Sequence, residues 1–150
     1  MKKFVAVILA VLLLFSLSAW RTGRQPAGEL KKLGIAPSMG KMTLRIDSRT
    51  GIHQKGTIQS VIQVPKTLKE QISKDERWNK LPMDQQLTEA LHGDLKDFGK
   101  FLPGSPRGYY ILLDKNPSVW TEKSGEKAYR FILAVYDTDR DTIYYCEVKQ

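Results

Sequence analysis

The sequence predicts an α+β fold: a single small domain built on a largely antiparallel sheet of about five strands, with two short helices on one face. Three observations carry that expectation. Apolar and polar residues alternate with period two in several short segments. Two segments toward the C-terminus are apolar on both faces, as befits strands in the middle of a covered sheet. Between the early and late strands lie two segments whose apolar residues recur one helical turn apart.

Met42, Leu44 and Ile46 alternate with Thr43, Arg45 and Asp47, which is strand period. Ile58, Ser60, Ile62 and Val64 alternate with Gln59, Val61 and Gln63, and Pro65 closes that strand. Lys66 to Arg77 reads as a helix through Leu68 and Ile72, with Trp78 following. Beyond Pro82, Asp84 is an N-cap for a second helix whose apolar face is Leu87, Ala90 and Leu91, and Gly93 suits its end. Tyr109 to Leu113 and Tyr129 to Tyr136 are the strands apolar on both faces. Asp137 to Asp141 makes a turn, and Thr142 to Val148 runs back from it. The element order is therefore β-β-α-α-β-β-β.

Of 150 residues, 41% are hydrophobic, and 11 Gly with 7 Pro fall in the globular range. A disordered tail, a collagen-like repeat and a multi-pass membrane protein are excluded. The single cysteine, Cys146, excludes a disulfide scaffold. Met1-Lys2-Lys3, the apolar run Phe4 to Phe15 and the small residues up to Ala19 have the form of a bacterial export signal, residues 1–19, with cleavage after Ala19. The alternative is an uncleaved membrane anchor: Phe4 to Trp20 is 17 residues, the short end of a spanning helix, with Trp20 at the interface and Arg21 and Arg24 among headgroups. Either way the remainder is extracytoplasmic, secreted or anchored to the cytoplasmic membrane by residues 4–20. Residues 20–40 hold Gly and Pro but no apolar period, and read as a linker that reaches about 25 Å. The alternative packs them on the domain through Leu30, Leu33 and Ile35. Residues 41–150 then form the α+β domain, about 110 residues, enough for a core without metal or disulfides.

Asp47 and His53 are the only His–carboxylate pair close in sequence. They suit a metal ligand set or a general base. The reading they support is a small metal-binding or metal-dependent hydrolase domain, which needs a further ligand from afar, such as His92 or Asp94. The contrasting reading is a polar hairpin loop. Asp137, Asp139 and Asp141 have the spacing that starts a calcium loop. However, Thr142 and Val148 stand where Gly and a bidentate Glu are required, so a β-turn accounts for them better. His92 complements the dipole at the end of its helix. Cys146 shares a strand face with Tyr144 and Val148 and has no base beside it, so it reads as a buried thiol. There is no phosphate loop and no Gly-x-Ser-x-Gly elbow, and no cofactor is implied.

Lys and Arg number 24 against 16 Asp and Glu, a net charge of +8, or +6 once Lys2 and Lys3 leave with the signal. Outside the cytoplasm such a charge points away from nucleic acid. It favours an anionic envelope polymer, a membrane surface or another exported protein. Trp120, an aromatic among polar residues in a loop, suits partner contact, as do the cations Arg49, Lys55 and Arg107. The leading reading is a non-catalytic binding domain of the cell envelope.

Trp78-Asn-Lys-Leu-Pro82, Gly108-Tyr-Tyr110, Arg130-Phe-Ile-Leu-Ala-Val-Tyr-Asp-Thr-Asp139 and Thr142-Ile-Tyr-Tyr145, in that order, resemble a group of short, uncharacterised bacterial exported proteins. Members of that group often carry a stretch like Asp-Thr-His-Gly-Gly-Phe-His-Gly-Asp-Gly. The matching stretch here runs from Asp47 to Gly56, with Asp47, Gly51, His53 and Gly56 in agreement. Arg49 stands in place of a His and Lys55 in place of an Asp. The resemblance implies export and no particular activity. A loop of this composition can hold a metal through imidazole and carboxylate, and this chain keeps only Asp47 and His53 of those ligands.

Overall fold

The computed structural model describes residues 26–54, 56–92, 96–114 and 130–149. The expected export signal, Lys55, the helix end at Gly93, Asp94 and the Trp120 loop lie outside the described residues. The fold is α+β, a single small domain on an open antiparallel sheet. Its strands are β1 (Lys41–Asp47), β2 (Gly56–Gln63), β3 (Asn79–Lys80), β4 (Gly108–Asp114), β5 (Arg130–Asp137) and β6 (Thr142–Lys149), in the spatial order β1-β2-β6-β5-β4-β3. Every neighbouring pair is antiparallel. The last strand is internal: β6 pairs with β5 through the turn at Asp137–Asp141 and with β2 along its length, Gly56 opposite Lys149 and Gln63 opposite Thr142.

Neither of the central strands has a polar face, so both faces of the sheet need cover. Short helices α1 (Ala27–Lys32) and α2 (Leu68–Lys74) provide it on one side. There Leu30, Leu33, Leu68 and Ile72 pack with Ile62, Ile132, Ala134, Tyr136, Ile143 and Tyr145. On the other side α3 (Gln85–His92) and α4 (Lys96–Phe101) bring Leu87 and Phe98 onto Phe131, Leu133, Val135, Cys146 and Val148. The expectation of helices on one face is thus corrected, because the two apolar sides of β5 cannot share one layer. Two further elements were not foreseen. Strand β3 has two residues, too few to show a period, and α4 has six residues with Gly99 in its middle.

The linker expected over residues 20–40 is also corrected, for residues 26–40. Leu30 and Leu33 are wholly buried, and Ile35 is nearly so. Gly34, at φ +76°, ends α1 in a Schellman turn: Ile35 N–H donates to Leu30 O (2.9 Å) and Gly34 N–H to Lys31 O (3.1 Å). A glycine that reads as flexible is here the cap of a buried helix. Ion pairs fasten the same helix at its polar edge, Arg45 Nε to Glu29 Oε1 (3.0 Å) and Lys32 Nζ to Glu147 Oε2 (2.5 Å).

In β1 the strand period also misleads. The register shifts between Met42 and Leu44, a bulge that leaves Met42 opposite Ile62 and Leu44 opposite Val61. Ile62 and Val61 lie on opposite sides of the sheet. Met42 is therefore buried, whereas Leu44 and Ile46 stand on the other face, 45% and 47% exposed.

Two measurements test this packing. Leu33→Ala should cost about 2–5 kcal/mol in a denaturant melt; an unchanged midpoint would put the segment outside the fold. Burial alone pushes the Glu147 carboxyl up, but hydrogen bonds from Lys32 and Tyr145 outweigh it and hold Glu147 below the ordinary glutamate value. A group lower in the folded state stabilises fully above its unfolded value and loses that contribution as pH falls through its folded one. The stability difference between wild type and Glu147→Gln should therefore shrink as pH drops below about 4.5.

Candidate functional site

Between β3 and β4 the chain makes its long excursion through α3 and α4, and a groove of about 1000 Å³ lies against it. Its position follows from local interactions. Leu81 N–H donates to Gly108 O (3.0 Å), which holds the exit from β3 against the start of β4. The Leu81–Pro82 peptide is cis. Asp84 then starts α3: its Oδ1 accepts from Leu87 N–H (2.8 Å) and its carbonyl from Thr88 Oγ1 (2.8 Å). Tyr110 OH reaches the same carboxylate at 3.4 Å, tying the cap to β4. Helix α4 is seated by buried Phe98, and Phe101 meets Tyr144 edge-on at 6.3 Å. Gly99 lets α4 come close to α3, since a Cβ there would stand 2.6 Å from Leu91 O.

The walls are apolar: Leu81, Pro82, Met83, Leu91, Leu102 and Pro103. Basic groups border them, Lys96 and Lys100 from α4 and Arg107 before β4, with the His92 imidazole nearby. No carboxylate lines the groove among the described residues. Lys96 and Lys100 are four apart on one helix, a like-charge pair that disfavours an isolated helix. Neither makes an ion pair among the described residues. Arg107 is loosely held, 3.8 Å from Asp139 and largely exposed. Apolar walls with basic side chains beside them favour a ligand that has both an apolar body and a negative charge.

Of the sequence candidates, Arg107 falls on this groove. Arg49 does not: its guanidinium is committed to Asp47, Nε to Oδ1 at 2.8 Å and Nη2 to Oδ2 at 2.6 Å, with Nη1 on Gln54 at 3.3 Å. Lys55 and Trp120 lie outside the described residues. Asp47 is turned to cations rather than to His53. Arg45 approaches it at 3.1 Å, and the Arg49 hydrogen bonds hold its carboxyl far below the ordinary carboxylate range. His53 sits on the exposed turn after β1. His, Cys, Asp and Glu side chains form no cluster of three suited to a metal among the described residues, so Asp47 and His53 gain no third ligand there. Asp137 is buried, pairs with Arg140 at 2.5 Å and accepts from Asp139 N–H at 3.0 Å, a turn structure rather than a cation loop. Cys146 is buried, and burial pushes its thiol up to about 12, away from nucleophilic use.

The Lys96/Lys100 pair was missed because its helix has no readable period; like-charged residues four apart were the available sign. Comparison with family models, with curated proteins and with solved structures finds no match to this chain. Among the described residues no helix is long and apolar enough to cross a membrane.

The close approach at Gly99 makes the groove sensitive to one methyl group. Gly99→Ala should destabilise by about 1–3 kcal/mol through overpacking. Amide resonances of α3 and α4 should shift while those of β1 and β2 stay in place. Shifts spread evenly over the sheet would contradict the packing described.

Proposed function

We propose that the protein acts at the bacterial cell envelope as a non-catalytic binding domain, secreted or held at the cytoplasmic membrane by residues 4–20. Its ligand is an anionic amphiphile of the envelope, an acyl-chain lipid with a negatively charged headgroup. The groove between α3, α4 and the start of β4 is its seat. The carrying observation is that Lys96, Lys100 and Arg107 line the same groove as its apolar walls. A soluble anionic polymer would use the cations and leave the walls unused. A neutral apolar ligand would use the walls and leave the cations unused.

The export-signal form of residues 1–19 and the basic excess of the sequence support this reading, since anionic lipid attracts nearby Lys and Arg by about 1 kcal/mol each. The attraction weakens as salt rises. Buried Cys146 and the engaged carboxylate of Asp47 leave binding as the better-supported role over hydrolysis.

The test is titration of the full chain with lysophosphatidylglycerol, followed by amide NMR. Shifts should converge on residues 81–83, 91–92 and 96–107, and should weaken in high salt. Lys96→Glu with Lys100→Glu should reduce affinity at least about tenfold. Equal binding of lysophosphatidylcholine, or shifts centred elsewhere, would refute the assignment.

A further inference from the structure

The groove lies at one end of the sheet; the other end is β1, which pairs only with β2 among the strands described. Its backbone shows what the free side offers. Ser48 N–H donates to Thr57 O at 2.9 Å, Thr57 N–H donates to Ser48 Oγ at 3.2 Å, and Asp47 stands opposite Ile58, so the Ser48 backbone is turned toward β2. Hydrogen-bonded and non-hydrogen-bonded pairs alternate in an antiparallel ladder. Ile46 and Leu44 therefore bond inward to β2, and the N–H and C=O of Arg45 and Asp47 point outward.

We propose that β1 is a self-association edge, on which a second copy of this chain pairs antiparallel about a two-fold axis at Ile46. In that register Arg45 stands opposite Asp47 of the second copy, and Asp47 opposite Arg45 of the second copy. Both outward backbone pairs are used, and the Arg45–Asp47 ion pair of each copy comes to lie beside that of the other with opposite charges facing. Charge selects this register over its neighbours: sliding by two residues one way sets Arg45 against Arg45, the other way Asp47 against Asp47, and like charges directly opposed are unfavourable. The exposed side chains agree with the backbone. Leu44 and Ile46 share one face beyond the bulge, and the two-fold gathers Ile46 and Leu44 of both copies into one apolar cluster across the seam. No proline interrupts β1 between Leu44 and Asp47, and the bulge before Leu44, with Arg45 turned in toward Glu29, limits the open edge to these few residues. The contact is short, so the association is weak. It leaves the two lipid grooves at the far ends of one continuous sheet, and it stands or falls independently of what those grooves bind.

Cross-linking of the full chain tests the register. Across the axis the two Ile46 positions form a non-hydrogen-bonded pair with Cα atoms about 4.5 Å apart, within reach of a disulfide. The two Leu44 positions are about 14 Å apart, out of reach. Under mild oxidation Ile46→Cys should become mainly a disulfide-linked dimer, while Leu44→Cys stays monomeric; native Cys146 is buried and serves as an internal control. Leu44→Lys with Ile46→Lys should remove the concentration-dependent dimer in sedimentation. Equal cross-linking at both positions, a dimer that survives the lysine pair, or a chain that never dimerises would each overturn the proposal.

Discussion

Strand β5 has no polar side, and the structure is organised by that constraint. Every residue from Phe131 to Asp137 is buried. A sheet whose central strand is apolar on both faces must be covered on both, and a chain of this length has few segments to do it with. One layer draws on α2 and, ahead of β1, on α1; the other is the α3–α4 pair. The recruitment of residues 26–40 into the core follows from this demand. A face left open over Tyr136, Tyr145 and Ile143 would leave large apolar side chains in water, at a cost that grows with the area exposed.

The same constraint explains why the groove is where it is. Helices α3 and α4 are short, and what seats them is mainly Leu87, Phe98 and the Asp84 cap. They cover β5 and β4 well but leave their outer side, toward β3 and the loop before β4, unfilled. A two-residue β3 offers no surface to close it. Cover over the centre and room at the margin are consequences of one packing arrangement, and the margin is where basic side chains sit beside apolar ones.

Much of this was legible in the sequence. The α+β class, the five longer strands, the cap at Asp84, the turn at Asp137–Asp141 and the buried state of Cys146 follow from period, capping and turn chemistry. What was not legible depends on long-range contacts. Gly34 reads as linker until Leu30, Leu33 and Ile35 are known to have a sheet beneath them; a helix of six residues shows no repeat by itself. The alternation Met42, Leu44, Ile46 suggests one face, but a bulge inserts a residue and reverses the assignment. At the site, Arg107 was chosen for its charge and falls on the groove. Arg49 was chosen on the same ground and is bound to Asp47.

That contrast between Arg49 and Arg107 carries the electrostatic argument further than net charge can. A surplus of cations in a sequence does not say which of them are free. Arg45, Arg49, Arg77 and Arg140 each face a carboxylate at 3.1 Å or less, and so contribute to local structure more than to the external field. Lys96 and Lys100 have no such partner among the described residues, repel each other along α4, and stand beside apolar walls. An anion placed between them would relieve that repulsion as well as gain its own attraction. The helix should therefore be held more firmly when the groove is occupied than when it is empty, so that ligand binding and local order reinforce each other.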